Sequence, residues 1–222
     1  TWAEIANESV QSINGLSDGK TDDNSVFLGV DAGRDDYGNN NNVAMGIQAL
    51  RDNETGERNV AIGNAALAKN EDGSDLVAVG DSALYNNYYW TPSNYTSTKN
   101  TAIGSSALYT NISGSNNTAT GYRALYKNSD ADYNAAVGSL SLYYNYDGEN
   151  NTAVGYASLF KNIGGDNNTA MGNKALYNNE SGYRNTAIGC GALYSNKENY
   201  NTANGYNALY SDTTGGYNTA MG

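Results

Sequence analysis

Tyr88, Tyr89, Trp90 and Tyr95 crowd into one short stretch around Pro92, the only proline of the chain. Aromatic side chains on a loop can stack on sugar rings or fill a partner's pocket, so this group is the expected receptor or glycan contact. The competing reading is a loop folded against its scaffold with the rings buried. Other chemistry is scarce. There is no histidine, which removes imidazole bases, His-based triads and most zinc sites. Cys190 is the single cysteine, so no disulfide can form within the chain. Asp18, Asp22 and Asp23 offer the oxygen ligands that calcium takes. No EF-hand loop or calcium-roll nonapeptide surrounds them, and solvated loop charge is the better reading. Glycosidase or lyase chemistry would need acidic or basic groups converging on one groove, whereas the charges here scatter through variable positions. No catalytic residue, cofactor or metal is expected.

The 222 residues include 23 acidic and 12 basic side chains, a net charge of −11. A nucleic-acid partner would need a basic footprint to release phosphate counterions, and an anionic membrane surface would repel such a chain. No apolar run approaches the length of a membrane span and no signal peptide is visible. Neither nucleic acid nor membrane insertion is expected. Only 39% of residues are hydrophobic, a polarity that would suggest disorder if the 20 tyrosines were not placed regularly. The chain begins without Met and stops inside its own repeat, and it reads as an excerpt of a longer fibre.

The regularity is a repeat. Glycines end each NTAIG-like string at Gly29, Gly46, Gly63, Gly80, Gly104, Gly121, Gly138, Gly155, Gly172, Gly189, Gly205 and Gly222, and nine of the eleven spacings are 17 residues. One spacing is 24, the insertion that carries the aromatic group, and one is 16. The consensus is N-T-A-(I/V/M)-G-x-x-A-L-Y-x-N-x-x-G-x-N. Ala fills eleven of twelve positions two residues before the marker glycine, and Leu fills ten of eleven positions four residues after it. An aromatic residue follows that Leu eight times, from Tyr85 to Tyr210.

Neither apolar run is long enough for a helix, and the intervening glycines would break one. Each run suits a strand of about four residues closed by Gly/Asn turns. One coil cannot bury its apolar face alone, so the pattern predicts an all-β fold, a β-solenoid (β-roll or β-helix) of about twelve 17-residue coils. At about 4.8 Å per coil the stack would be roughly 55 Å long. Asn stands four residues before the marker in ten of twelve coils, and a second Asn column runs from Asn53 to Asn196. In register, the amides of the first column can hydrogen-bond up and down the stack as a ladder, and those of the second are expected to serve the turns. Residues 1–24 lie outside the repeat. Trp2, Ile5, Ala6 and Ile13 fit one helical face, so this part is expected to be a partly helical linker or the end of a stalk. Residues 25–222 form the repeat domain, with the insertion loop at about 86–99.

The strings NTAIG at residues 100–104 and 185–189, each followed by xxALY, resemble the repeats of phage tail-fibre proteins. More loosely they resemble the repeats in the heads of YadA-like trimeric autotransporter adhesins, and the entry at residues 12–29 is similar to the start of such fibre repeats. The resemblance covers roughly residues 12–222. It implies a homotrimer displayed outside the cell, on a virion fibre or a bacterial surface, whose partners are its own copies, adjoining fibre segments and a host glycan or protein receptor. The 17-residue coil is longer than the adhesin pattern, and phage fibre and bacterial adhesin both stay open. A polysaccharide-acting enzyme on the same scaffold and a secreted structural or ice-binding filament are the alternatives. Ice binding is disfavoured here, because the Thr column holds Val in its first four coils and has no visible partner column.

The repeat carries its own argument for association. If both apolar runs were strands, neighbouring residues would alternate sides, and both sides would be apolar. A single solenoid has one interior, so the outer stripe would need covering by other copies. The expected form is a homotrimer.

Overall fold

The computed structural model describes residues 19–22, 24–37, 40–87 and 97–222. The described residues are all-β, with no helix. Strand β1 (Gly19–Asp22) pairs antiparallel with β2 (Ser25–Leu28). From β2 onward, one short strand per coil adds to a parallel sheet in strict chain order, ending at Thr219–Met221. The sheet has thirteen strands and the chain makes about eleven turns of a parallel β-solenoid. The hairpin formed by β1 also covers one free edge of the stack, where unpaired N–H and C=O groups would otherwise be presented.

Register is set by the repeat itself. Ala44 pairs with Ala61, Ala136 with Ala153 and Ala170 with Ala187, so from the second coil on Ala stacks on Ala. These alanines are fully buried. The side chain must be small because the wall opposite is close, and the leucines four residues after the marker fill what remains, equally buried. Phe27, in the first coil, replaces Ala at the position where Gly33 replaces Leu. A Cβ on Gly33 would lie 2.5 Å from the Phe27 ring, so the large and small residues have exchanged places. The marker glycines sit where coil touches coil. At Gly138, φ is 133° and an added Cβ would lie 2.5 Å from the carbonyl oxygen of Gly155, a site no larger residue can enter without shifting the neighbouring coil.

The second expected strand, the A-L-Y run, is not a strand. Each coil turns there instead. Ten leucines, from Leu50 to Leu209, have φ of 48–53°, and the residue two positions earlier is also left-handed, as at Gln48 (φ 57°) and Ser106 (φ 55°). Ala66 N–H donates to Gly63 C=O at 3.4 Å and Ala68 N–H to Ala65 C=O at 3.3 Å, so successive turns overlap. The coils remain bonded to one another through this segment: Gln48 N–H donates to Val30 C=O at 2.8 Å, and Leu50 N–H to Ala66 C=O at 2.9 Å. A left-handed Leu costs roughly 1–2 kcal/mol. Full burial of its side chain contributes about 1.5–3 kcal/mol in return, and the left-handed φ is what turns both Ala and Leu inward. The strict alternation expected for this run, and the outer Leu or Ala stripe it implied, are therefore absent. A pairing of two strands does occur just beyond the ring position, but only at Thr110–Asn111 and Lys127–Asn128.

Asparagine does two separate jobs. In the column that begins at Asn42, the side chain clamps the next coil's backbone. Asn117 Oδ1 accepts from Asn134 N–H at 2.9 Å, and Asn117 Nδ2 donates to Ala131 C=O at 2.8 Å. The amide ladder expected in that first column is found instead in the column from Asn53 to Asn196, whose amides meet one another directly. Asn128 Nδ2 donates to Asn111 Oδ1 at 2.8 Å, and Asn145 Nδ2 to Asn128 Oδ1 at 3.0 Å. All rungs donate toward the N-terminal end. Asp36, buried, heads the column and accepts from Asn40, Asn42 and Asn53. Asp212 stands at the far end and has no amide N–H to continue the ladder; Asn201 Nδ2 fills in by donating to Asn196 Oδ1 at 2.8 Å. The expected helix, at residues 2–14, lies outside the described residues.

Candidate binding surfaces

The four residues expected to make the receptor contact, Tyr88, Tyr89, Trp90 and Tyr95, lie outside the described residues, as do Asp18 and Asp23. Asp22 stands in β1, opposite Ser25. The two feet of the insertion are described. The chain leaves the ladder at Asn87 and returns at Ser97, whose hydroxyl donates to Asn87 Oδ1 at 2.6 Å. Asn111 Nδ2 donates across the gap to Asn87 Oδ1 at 3.1 Å and to Ser97 Oγ at 2.6 Å, so the ladder continues past the insertion. Asn87 lies two residues after Tyr85, where the aromatic column starts.

That column is a continuous stack. Tyr85 and Tyr109 have ring centroids 5.2 Å apart with planes at 6°. Tyr126 follows Tyr109 at 5.1 Å, Tyr143 follows at 5.0 Å, and Phe160, Tyr177, Tyr194 and Tyr210 complete the column. The turn after Leu delivers each ring to the same place in its coil, and the coil repeat fixes their spacing. Tyr144 packs edge-on against Tyr143 and Phe160. Burial pushes the Tyr109, Tyr143 and Tyr177 phenols up from their ordinary value of 10.0, with neighbouring tyrosines adding to the shift at each.

Cations lie against these rings. Lys69 sits 5.3 Å from the Tyr85 ring centre, Arg123 5.2 Å from that of Tyr126, and Lys174 5.7 Å from that of Tyr177. Lys127 lies over Tyr144 and Tyr146, and the Tyr146 phenol beside it holds its ammonium above the usual range. Two grooves border the ladder. One, of about 250 Å³, is lined by Lys174, Cys190, Tyr194 and Tyr206 among others. The other, of about 330 Å³, is lined by Tyr144, Tyr146, Lys161, Ile163 and Glu180. The periodic aromatic residue was visible in the sequence. The cations beside it were not, because Lys127 and Arg123 occupy different columns that only the turn brings onto one face.

The second surface is the outer side of the sheet. Each three-residue strand before the last buries its central Ala, and its first and third residues point outward. The outward rows mostly pair Thr or Val with Ile, Val or Met, as at Thr101 and Ile103, Thr169 and Met171, or Thr186 and Ile188; Thr120, Ala135 and Asn204 are the exceptions. Ile103 and Met171 keep 42% and 44% of their surface exposed. None of these outward positions from Val43 to Met221 carries a charge.

No helix among the described residues is long and apolar enough to cross a membrane, and no group of three or more His, Cys, Asp or Glu among them is placed to hold a metal. No protein family, curated protein or solved structure matches this chain.

Proposed function

We propose that this chain is a non-catalytic segment of an extracellular adhesive fibre, a homotrimer that spaces or forms a receptor-binding surface, as in the phage tail fibres its repeats resemble. One observation carries the reading: a stack of near-identical coils presents along its whole sheet a charge-free strip in which Ile, Val and Met alternate with Thr and Val, broken only at Thr120, Ala135 and Asn204. At about 4.8 Å per strand that strip is roughly 50 Å long, and an exposed apolar row of that length is the kind of surface a partner covers. In a chain of net charge −11, it is the surface on which copies meet without like-charge repulsion. Sheet against sheet leaves the tyrosine ladder free for a receptor. A bacterial adhesin head accounts for the same features. Incubation with a panel of glycans tests the reading: saturable binding without depolymerisation is expected, and turnover would make the chain a polysaccharide-acting enzyme.

The same strip favours a second reading. Thr hydroxyls and methyl groups in parallel rows on a regular sheet are suited to ordering water, as an ice-binding filament would. That use needs the strip uncovered. Thermal hysteresis from a monomeric chain would select it over the trimer.

A further inference from the structure

We infer that the tyrosine-ladder face binds a linear acidic polysaccharide lying along the stack, its carboxylates held by Lys69, Arg123, Lys127, Lys161 and Lys174. The inference rests on the adhesive reading and names the ligand class.

Charge on this molecule is sorted by face. Consider the two residues after each marker glycine, the ring position, and the residue following the ring. From residue 64 to residue 211 these columns hold five cations and a single carboxylate, Asp81. The loops further round each coil hold most of the remaining carboxylates, Glu71, Asp130, Asp147 and Glu180 among them. A chain of net charge −11 thus keeps a cationic strip exactly where its aromatic rings stack. Among the described residues none of the five cations is in an ion pair. In the first coils the corresponding Arg34 and Arg51 are neutralised by Asp35 and Asp52. Glu180, which shares a groove with Lys161, reaches Lys197 at 4.0 Å.

The geometry favours a sugar polymer over a nucleic acid. Base recognition on single strands uses open aromatic faces, and here ring faces are occupied by neighbouring rings about 5.0–5.2 Å away through most of the stack. What the face offers is a row of ring edges and phenol hydroxyls. Beside them runs a column containing Asn86, Thr110, Asn178 and Ser195, side chains that exchange hydrogen bonds with sugar hydroxyls. An extended pyranose chain advances by close to one coil per sugar, so successive sugars would meet equivalent groups. The cations, spaced over several coils, match a carboxylate carried along such a chain, and the two bordering grooves give it edges to lie against.

Calorimetric titration of the purified chain with oligomannuronate, with neutral β-1,4-mannan of equal length and with oligothymidylate tests this. Oligomannuronate should bind most tightly, weaken as salt rises and exceed mannan by about tenfold. Replacing Lys127, Lys161 and Lys174 together by Gln should cost about tenfold in affinity, and replacing them by Arg should retain it. Melting of both variants verifies folding, and the single Lys161→Gln variant, at an exposed site, gives the same direction with less perturbation. Equal affinity for mannan, or unchanged affinity in a folded Gln variant, overturns the inference. Oligomannuronate bound no better than mannan, with neither affected in the Gln variant, would overturn it while leaving adhesion through another face standing. Tighter binding of oligothymidylate would overturn the assignment to a glycan.

Discussion

Ala153 and Asn128 show how little freedom an interior position has here. Ala153 is fully buried between Ala136 and Ala170 of the adjoining coils. Ala153→Leu should cost about 1–3 kcal/mol through overpacking, read as a lower melting temperature; melting at the parent's temperature would show that the interior can expand. Asn128 Nδ2 donates to Asn111 Oδ1 and Ala131 C=O, and its Oδ1 accepts from Asn145. Asn128→Leu leaves the buried Asn111 Oδ1 without a donor and one Asn145 N–H without an acceptor, so chemical denaturation should show a loss of about 3 kcal/mol. A loss below about 0.5 kcal/mol would mean the ladder is incidental. The sequence made both columns legible, because a small or amide residue recurring every coil is an interior constraint. Which Asn column bonds side chain to side chain was misread: the column from Asn42 was expected to, and the column from Asn53 does. That depends on where each amide meets its neighbour, and Asn42 and Asn53 are indistinguishable by type.

At the scale of the element, T-A-I reads correctly as a strand and A-L-Y does not. Leu strongly resists a left-handed φ, so an apolar run without Gly looks extended. Two substitutions carried the hint: Gly33 stands in the Leu column with φ 56°, and Gly191 stands two residues after its marker with φ 67°. A glycine tolerated where its repeats hold Leu or Lys points to positive φ. The ring stack that follows this turn has its own pH signature. Tyr109, Tyr143 and Tyr177 keep their protons to higher pH in the folded chain, mainly because they are partly buried. The stability linked to them is complete below the unfolded value of 10.0 and is lost as pH rises through the folded values. Alkaline titration should therefore show phenolate absorbance lagging that of free tyrosine, and melting temperature falling above that pH. Phenolate appearing at the free-tyrosine pH without loss of stability would contradict the ladder's burial.

For the molecule as a whole, the repeat length and parallel order were legible because each coil repeats the same columns, and equal residues stack on equal residues. Association was inferred from a premise that only half holds. Ala and Leu both turn inward in the second segment, so no stripe arises there, yet the sheet still directs Thr/Val and Ile/Val/Met rows outward, as its first strands do at Val43 and Met45. The insertion belongs to this scale too: Asn87 and Ser97 are pinned to the ladder, so the loop between them can vary without disturbing the stack. Changing Tyr88, Tyr89 and Trp90 to Ser should leave melting unchanged and reduce binding to host surfaces; unchanged binding would retire the loop as a contact. The account turns on what covers the sheet's outer face. Sedimentation equilibrium of the purified chain measures this directly. A single species at three times the 23.5 kDa chain mass is the expected result, and a folded, soluble species at the mass of one chain would contradict it.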